Sequence, residues 1–258
     1  VNDAFGVSHR ANASVSAITK YVKDCAAGFL MRKELDYFSR AMESPKRPLV
    51  AIIGGAKVSD KVASIKNLIS RVDKMIIGGG IALTFLKTLD YEVGRSLLEE
   101  SMLGTALEVV RTAKERGVKL YLPVDFIVAE KLDPKVEVRI VPAQEIPKDW
   151  MALDIGPATT ALFGEALKDA KTIVWNGPMG AFEVDSFSRG TYTMVNNVAN
   201  SLALTIVGGG DTDVAVHNTG QSMNISYIST GGGAFLELLA GKVLPGLEAL
   251  EGRANSGL

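Results

Sequence analysis

Lys57 and Lys61 lie four residues apart in GGAKVSDK (54–61), directly behind a glycine pair and at the start of a helix-like segment. That spacing puts both ammonium groups on one helical face. Cations at a helix start oppose the helix dipole, so the placement becomes favourable only with an anion between them, and phosphate fits. Asp211 and Thr212 follow the glycine triplet 208–210 in IVGGGDT. An Asp there is a good helix cap, and beside bound phosphates it is equally a Mg²⁺ ligand. Asp60 has the same two readings, and capping is favoured for it. The glycines are a third signal. At strand ends they permit positive φ and close backbone approach, and N–H groups turned outward at a helix start bind phosphate. These residues together point to Mg²⁺-nucleotide binding in the service of phosphoryl transfer. They do not name the acceptor.

Such a site needs a scaffold that brings distant glycines together. Of the 26 glycines, clusters at 54–55, 78–80, 208–210 and 231–233 each follow a short apolar run: LVAII (49–53), KMII (74–77), LTIV (204–207) and ISYIST (225–230). Each also precedes a helix-like segment. TIVWNGPMGAFE (172–183) is a fifth member, a stiff strand ending in a nearly bare loop closed by Glu183. Runs such as AII and TIV lack polar alternation, as strands buried on both faces should. Strand, glycine turn and helix in repetition predict an α/β fold, a three-layer, doubly wound, mostly parallel, Rossmann-like sheet with helices on both faces. Right-handed crossovers put all five turns on one sheet edge, where ligands of such sheets bind. Weaker strands are expected at 118–122, 136–141 and 151–155. An amphipathic helix over 28–43 precedes the sheet and is punctuated by Ser44, Pro45 and Pro48.

Composition narrows the function classes. The chain has 258 residues and a formal net charge of −1, which argues against a nucleic-acid or membrane-surface protein driven by bulk charge. One cysteine, Cys25, excludes an intrachain disulfide framework and suits a reducing compartment, hence a cytoplasmic protein. The longest uncharged run, 214–236, carries His, Asn, Gln, Ser, Thr and Gly and does not read as a membrane span. Neither GxxxxGK[ST] nor GxGxxG occurs, so the nucleotide site is not of the P-loop or dinucleotide kind. The missing dinucleotide fingerprint and the two lysines argue against a dehydrogenase. The opening VNDAFG, without an initiator Met, reads as the middle of a domain and suggests a fragment.

Six motifs are more specific: GGAKVSDK (54–61), IIGGGIALTFLK (76–87), LPVDF (122–126), WNGPMGAFE (175–183), GGGDT (208–212) and STGGGAFLELLAGKVLPG (229–246). In that order they resemble phosphoglycerate kinase, and VNDAFGVSHRA (1–11) is similar to the segment before that family's interdomain helix. The resemblance implies reversible, Mg²⁺-dependent phosphoryl transfer between 1,3-bisphosphoglycerate and ADP, giving 3-phosphoglycerate and ATP, in an enzyme that is a monomer at full length. It implies residues 1–27 as the remnant of a phosphoglycerate-binding domain, 28–44 as the interdomain helix, 45–235 as the nucleotide-binding domain and 236–258 as a segment returning toward the first domain. Residues 1–27, lacking most of their own domain, should then be poorly ordered or packed non-natively.

By the same resemblance Lys57 would meet the transferring phosphoryl, with Gly232 and Gly233 offering a helix start to it. Gly55, Ala56 and Lys61 would serve the nucleotide, Lys61 at its phosphates. Asp211 would hold Mg²⁺, and Thr212, Gly209 and Gly210 the phosphates. Gly79, Gly80 and Gly156 would line the adenosine pocket. Asn176 and Gly177 would lie along the nucleotide, Met179 and Phe182 would give apolar walls, and Glu183 would take the ribose hydroxyls. His9 and Arg10 would belong to the phosphoglycerate side. Asn12 stands where the family more often has a second histidine, and the family's arginine-bearing first loop is missing. A non-catalytic Mg²⁺-nucleotide module is the alternative for the chain on its own.

Overall fold

A computed structural model describes residues 1–254. Six parallel strands form the central sheet: β1 (Leu49–Ile53), β2 (Lys74–Ile77), β3 (Lys119–Tyr121), β7 (Thr172–Asn176), β8 (Leu204–Gly208) and β9 (Tyr227–Ile228), in the order β3-β2-β1-β7-β8-β9. Strands β1, β2 and β7 are buried at every position. Their apolar runs without alternation are what a two-sided burial requires. Side chains of β1 divide by parity: Val50 and Ile52 belong to one core, Leu49, Ala51 and Ile53 to the other. The first core is closed by α5 (Pro157–Leu167), α6 (Arg189–Ala199) and α7 (Gly210–Asn218). The second is closed by α2 (Val62–Leu68), α4 (Leu103–Arg116), α8 (Gly232–Leu239) and the end of α1 (Phe29–Met42). Helix α3 (Gly79–Lys87) feeds both, with Leu83 and Leu86 in the first and Phe85 in the second. This is the three-layer α/β architecture.

Strands run outward in both directions from β1 and β7, which pair in parallel over Leu49–Ile53 and Thr172–Asn176. The seam between them is the topological switch point of the sheet, the usual place for a ligand crevice.

Not all strands join this sheet. The segments expected at 136–141 and 151–155 become β5 (Arg139–Pro142) and β6 (Met151–Ile155). They flank an unanticipated β4 (Asp125–Ala129) in a separate antiparallel sheet, ordered β5-β4-β6. No helix separates these three strands in the chain. Without a crossover element they cannot pair in parallel.

Residues 1–27 differ from expectation too. Phe5, in a short 3₁₀ turn, is buried, and a Cβ at Gly231 would lie 2.5 Å from its ring. Gly28 N–H donates to the Asn2 carbonyl at 2.8 Å, and Met31 N–H to Asp3 Oδ1 at 2.9 Å. The segment is thus seated on the turn before α8 and on the start of α1. At the other end, α9 (Pro245–Ala254) lies against it, with Gly246 N–H donating to the Ser8 carbonyl at 2.9 Å. Residues 255–258 of the expected returning segment lie outside the described residues.

Candidate functional site

The turns after β2, β1, β7, β8 and β9 touch one another in sheet order. Gly79 N–H donates to the Met179 carbonyl at 3.1 Å, and Gly55 N–H to the Pro178 carbonyl at 2.9 Å. Asn176 Nδ2 donates to the Gly208 carbonyl at 2.8 Å, and Gly177 N–H to Thr212 Oγ1 at 2.8 Å. A Cβ at Gly177 would stand 2.3 Å from the Gly54 carbonyl oxygen, and one at Gly232 3.2 Å from Gly209 Cα. Four of these glycines, Gly55, Gly79, Gly177 and Gly209, have positive φ. At Gly79 and Gly177 only glycine satisfies the conformation and the close approach together.

Helices α3, α7 and α8 start from this row at Gly78, Gly209 and Gly231, and no side chain caps any of them. Their first N–H groups are left without helical partners. Asp60 does not do the capping expected of it: α2 begins behind Lys61, again with no side-chain cap. Asp211 does not cap α7 either, and its exposed carboxylate makes no hydrogen bond or ion pair among the described residues. The row ends at His9, whose Nε2 lies 2.9 Å from where a Gly233 Cβ would be. The exposed Arg10 donates from Nε to that nitrogen at 3.4 Å. Glu34 on α1 anchors the last turn, its Oε1 accepting from Thr230 N–H at 2.7 Å and Thr230 Oγ1 at 2.8 Å.

A cleft of about 310 Å³ opens beside the turns. Gly55, Ala56, Gly79, Gly80, Met179, Glu183 and Asp211 line it. Others of the expected residues do not. Phe182 is buried in the first core, so Gly180 and Ala181 form the wall in its place. Gly156 sits at the start of α5, where its Cβ position is filled by the Asp125 carboxylate. That carboxylate takes Ala158 N–H at 3.0 Å and Thr159 N–H at 2.7 Å. Asn176, Gly177 and Thr212 are also outside the cleft wall. Their side chains or N–H groups hold turn to turn, which leaves the surface to the backbone. Gly209, Gly210, Lys57 and Lys61 stand on the edge outside the cleft.

The remaining wall comes from Leu83, Leu97, Arg95, Phe126 and the first four residues of β6. Sequence reasoning missed these. LPVDF marked Phe126, but Arg95 lies in a loop without a glycine cluster. It is fixed by Arg95 N–H donating to the Trp150 carbonyl at 2.8 Å.

Lys61 is half-buried and donates to Asn176 Oδ1. Burial pushes its ammonium below the ordinary lysine range, and Asp60 and Asp211 pull it back up. Lys57 is exposed and has no hydrogen bond or ion pair among the described residues. Among them no three His, Cys, Asp or Glu side chains cluster as a metal cage. The free Asp211 carboxylate beside uncapped helix starts instead fits Mg²⁺, which is held by one or two carboxylates with phosphate oxygens and water. No helix among the described residues is long and apolar enough to cross a membrane.

Comparison with known proteins gives one result. The sequence profile of a family described as phosphoglycerate kinase matches residues 1–242. A phosphoglycerate kinase of Geotalea uraniireducens is 64% identical over 251 residues, 97% of this chain and 63% of that protein. One from Desulfosudis oleivorans is 59% identical over 97% of this chain and 63% of its own length. The solved phosphoglycerate kinase of Coxiella burnetii superposes with a TM-score of 0.94 at 44% identity, over 98% of this chain and 65% of the other. That of Pyrococcus horikoshii gives 0.86 at 32%, over 98% and 64%. The chain therefore spans a little under two thirds of the length of the curated relatives it matches.

Proposed function

The chain belongs to the phosphoglycerate kinase family, and from that premise we propose that it carries the nucleotide half of a reversible phosphoryl transfer between 1,3-bisphosphoglycerate and ADP. The supporting observation is the row of five touching glycine turns, with three uncapped helix starts beside a 310 Å³ cleft. Base and ribose take the cleft, with Glu183 at its wall placed to accept from the sugar hydroxyls. Phosphates follow the glycine edge past Lys61 toward Lys57 and the start of α8. Asp211 would hold Mg²⁺, which when bound would neutralise phosphate charge.

Phosphoryl transfer asks for little covalent chemistry from the protein and much positioning. Lys57, unpaired and exposed, is free to follow the moving group. The N–H groups of Gly232 and Gly233 lie at the positive end of α8 and stabilise charge developing on it. His9 abuts that same helix start, on the side assigned to 3-phosphoglycerate. Asn176 and Thr212 act indirectly, fixing the turns so that no side chain intrudes on the edge. Free Cys25 fits a cytoplasmic setting.

Catalysis also needs the acid substrate held in line and water excluded. Of that side only His9 and Arg10 are in this chain. The 258-residue chain is therefore expected to bind Mg²⁺-ADP at one site and to show no turnover with ATP and 3-phosphoglycerate in a coupled assay. Calorimetric titration with ADP, with and without Mg²⁺ and against NAD as control, tests the first part. Tighter binding of NAD than of ADP would refute the nucleotide assignment. Turnover close to that of a full-length relative would refute the division of labour.

A further inference from the structure

Residues 95–99 form a strap from the cleft wall to the lysine loop. Arg95 N–H donates to the Trp150 carbonyl at 2.8 Å, and Ser96 Oγ accepts from Ala152 N–H at 2.9 Å, which ties one end to β6. At the other end Glu99 N–H donates to Thr84 Oγ1 at 3.3 Å, on buried α3. The Glu99 carboxylate then reaches across to Ser59, 40 residues earlier in the chain. Its Oε1 accepts from Ser59 Oγ at 2.7 Å and its Oε2 from Ser59 N–H at 3.0 Å. Ser59 stands midway between Lys57 and Lys61. Arg95 and Leu97 line the cleft at one end of this connection, and Gly55 and Ala56 line it at the start of the loop. The reaction proposed above gives Glu99 no part. By charge alone an acid that attracts Lys57 opposes phosphate binding, so its place there calls for another reason.

We propose that Glu99 is a positioning residue for the phosphate end of the nucleotide: by clamping Ser59 it sets Lys57 and Lys61 at a fixed span from the wall that takes the base. This rests on the nucleotide reading of the cleft. A carboxylate that accepts from both the N–H and the hydroxyl of one residue fixes the direction of that peptide as well as its place. The loop has other holds. Gly55 N–H donates to the Pro178 carbonyl, Val58 is buried in the second core, and Lys61 N–H donates to the Val58 carbonyl at 2.9 Å. These secure the loop to the glycine seam, to the helices and to itself. The bonds from Ser59 to Glu99 are what join it to the strap that carries Arg95 and Leu97. Lys57 is the residue this serves most, since its exposed ammonium has no bond of its own to steady it. A ligand that touches wall and lysines at once binds best when their separation is already set.

The test compares Glu99→Gln, which keeps one acceptor for Ser59, with Glu99→Ala, which keeps none. Both lose the negative charge and its pull on Lys57, so their difference reports the clamp alone. ADP and adenosine affinities of the 258-residue chain are read by NMR titration. Adenosine has no phosphate for the lysines to meet, so a general loosening of the cleft would weaken it as much as ADP. Glu99→Ala should bind ADP about fivefold more weakly than Glu99→Gln, the worth of about one hydrogen bond, and the two should bind adenosine equally. Ser59→Ala, which leaves the acid in place, should weaken ADP about twofold in the wild type and not at all in Glu99→Ala. Equal ADP affinities of the two Glu99 variants overturn the proposal. So does an equal loss for adenosine, which would make the contact a brace for the whole cleft. In both cases binding of ADP by the wild type leaves the nucleotide assignment intact, whereas absence of ADP binding to the wild type overturns both. Should Glu99→Ala fail to fold, Ser59→Ala at its exposed position decides, and an ADP-to-adenosine ratio unchanged from wild type overturns the proposal.

Discussion

Gly177 is a place where two turns of the site press on each other backbone to backbone, and Gly177→Ala should damage both fold and site. Its φ is +96°, and an alanine Cβ would lie 2.3 Å from the Gly54 carbonyl oxygen, 2.5 Å from its carbon and 3.1 Å from Gly55 N. All three atoms are backbone of the β1 turn, so no side chain can swing aside. Holding a non-glycine residue at such a φ costs about 1–3 kcal/mol, and forced overpacking adds about 1–3 kcal/mol. With a rigid obstacle the sum falls in the upper half, about 4–6 kcal/mol, against a typical total stability of about 5–15 kcal/mol. Gly220→Ala is the control. Its φ is +69° with nothing within 4 Å of the Cβ, so it carries strain without collision. It should cost about 1–2 kcal/mol. Urea denaturation of both variants gives the difference, expected at about 3 kcal/mol or roughly 6–12 °C in melting temperature. If the two variants agree within about 1 kcal/mol, the collision is relieved by backbone movement and the argument for a rigid glycine seam fails.

Two further substitutions probe the charges. Glu183→Gln should leave stability unchanged and weaken ADP binding by no more than about 1.5–3 kcal/mol, the worth of a hydrogen bond to a charged group; unchanged calorimetric affinity would remove Glu183 from the site. Lys61→Met should weaken ADP about tenfold and also change how stability depends on pH. Burial lowers the folded-state Lys61, so the unfolded chain binds its proton more tightly and wild-type stability rises as pH climbs toward the ordinary lysine range. The variant should lack that rise in urea melts between pH 8 and 10.5, and an identical slope would mean Lys61 is not desolvated.

The sheet was readable because its signals are local and repeated. LVAII, KMII and TIVWN are dominated by apolar residues, are buried at every position, and are each followed directly by glycine. The antiparallel sheet gave no such signal. DFIVA is buried at four of five positions and lacks the alternation of a half-exposed strand, while Arg139–Pro142 is mostly exposed and short. The outer wall of the cleft was hidden for the same reason. Arg95, Leu97 and Asp154 are brought there by loop and small-sheet contacts, not by glycine turns. Phe182 lies in the core while Ala181, one residue earlier, is on the wall, because a loop's apolar side chain can face ligand or core. The 153–181 backbone bond turns Ala181 outward and sends Phe182 into the first core. Asp125 was missed as the group that fills the place beside Gly156 because its target, the start of α5, lies about thirty residues away in sequence.

The glycines before α3, α7 and α8 have an energetic logic beyond space. At α3 backbone carbonyls already take that place, Met179 on Gly79 N–H and Gly55 on Ile81 N–H; at α7 and α8 a Ser, Thr or Asp cap would satisfy one N–H, but its oxygen would occupy the position an anion must take. Replacing such a cap by glycine loses only a few tenths of a kcal/mol per helix, whereas alanine loses about 0.5–2 kcal/mol. Three uncapped starts therefore cost the fold on the order of 1 kcal/mol in total, small against its stability. In exchange the edge keeps the partial positive charge of the helix starts, with Lys57 and Lys61 balanced in number by Asp60 and Asp211. Lys61 carries the cost of burial on this edge. It is held against Asn176 Oδ1, partly desolvated, in a place where the nearby acids do not fully restore its ordinary affinity for a proton. A ligand bearing several negative charges relieves all of these terms at once. A neutral ligand relieves none of them.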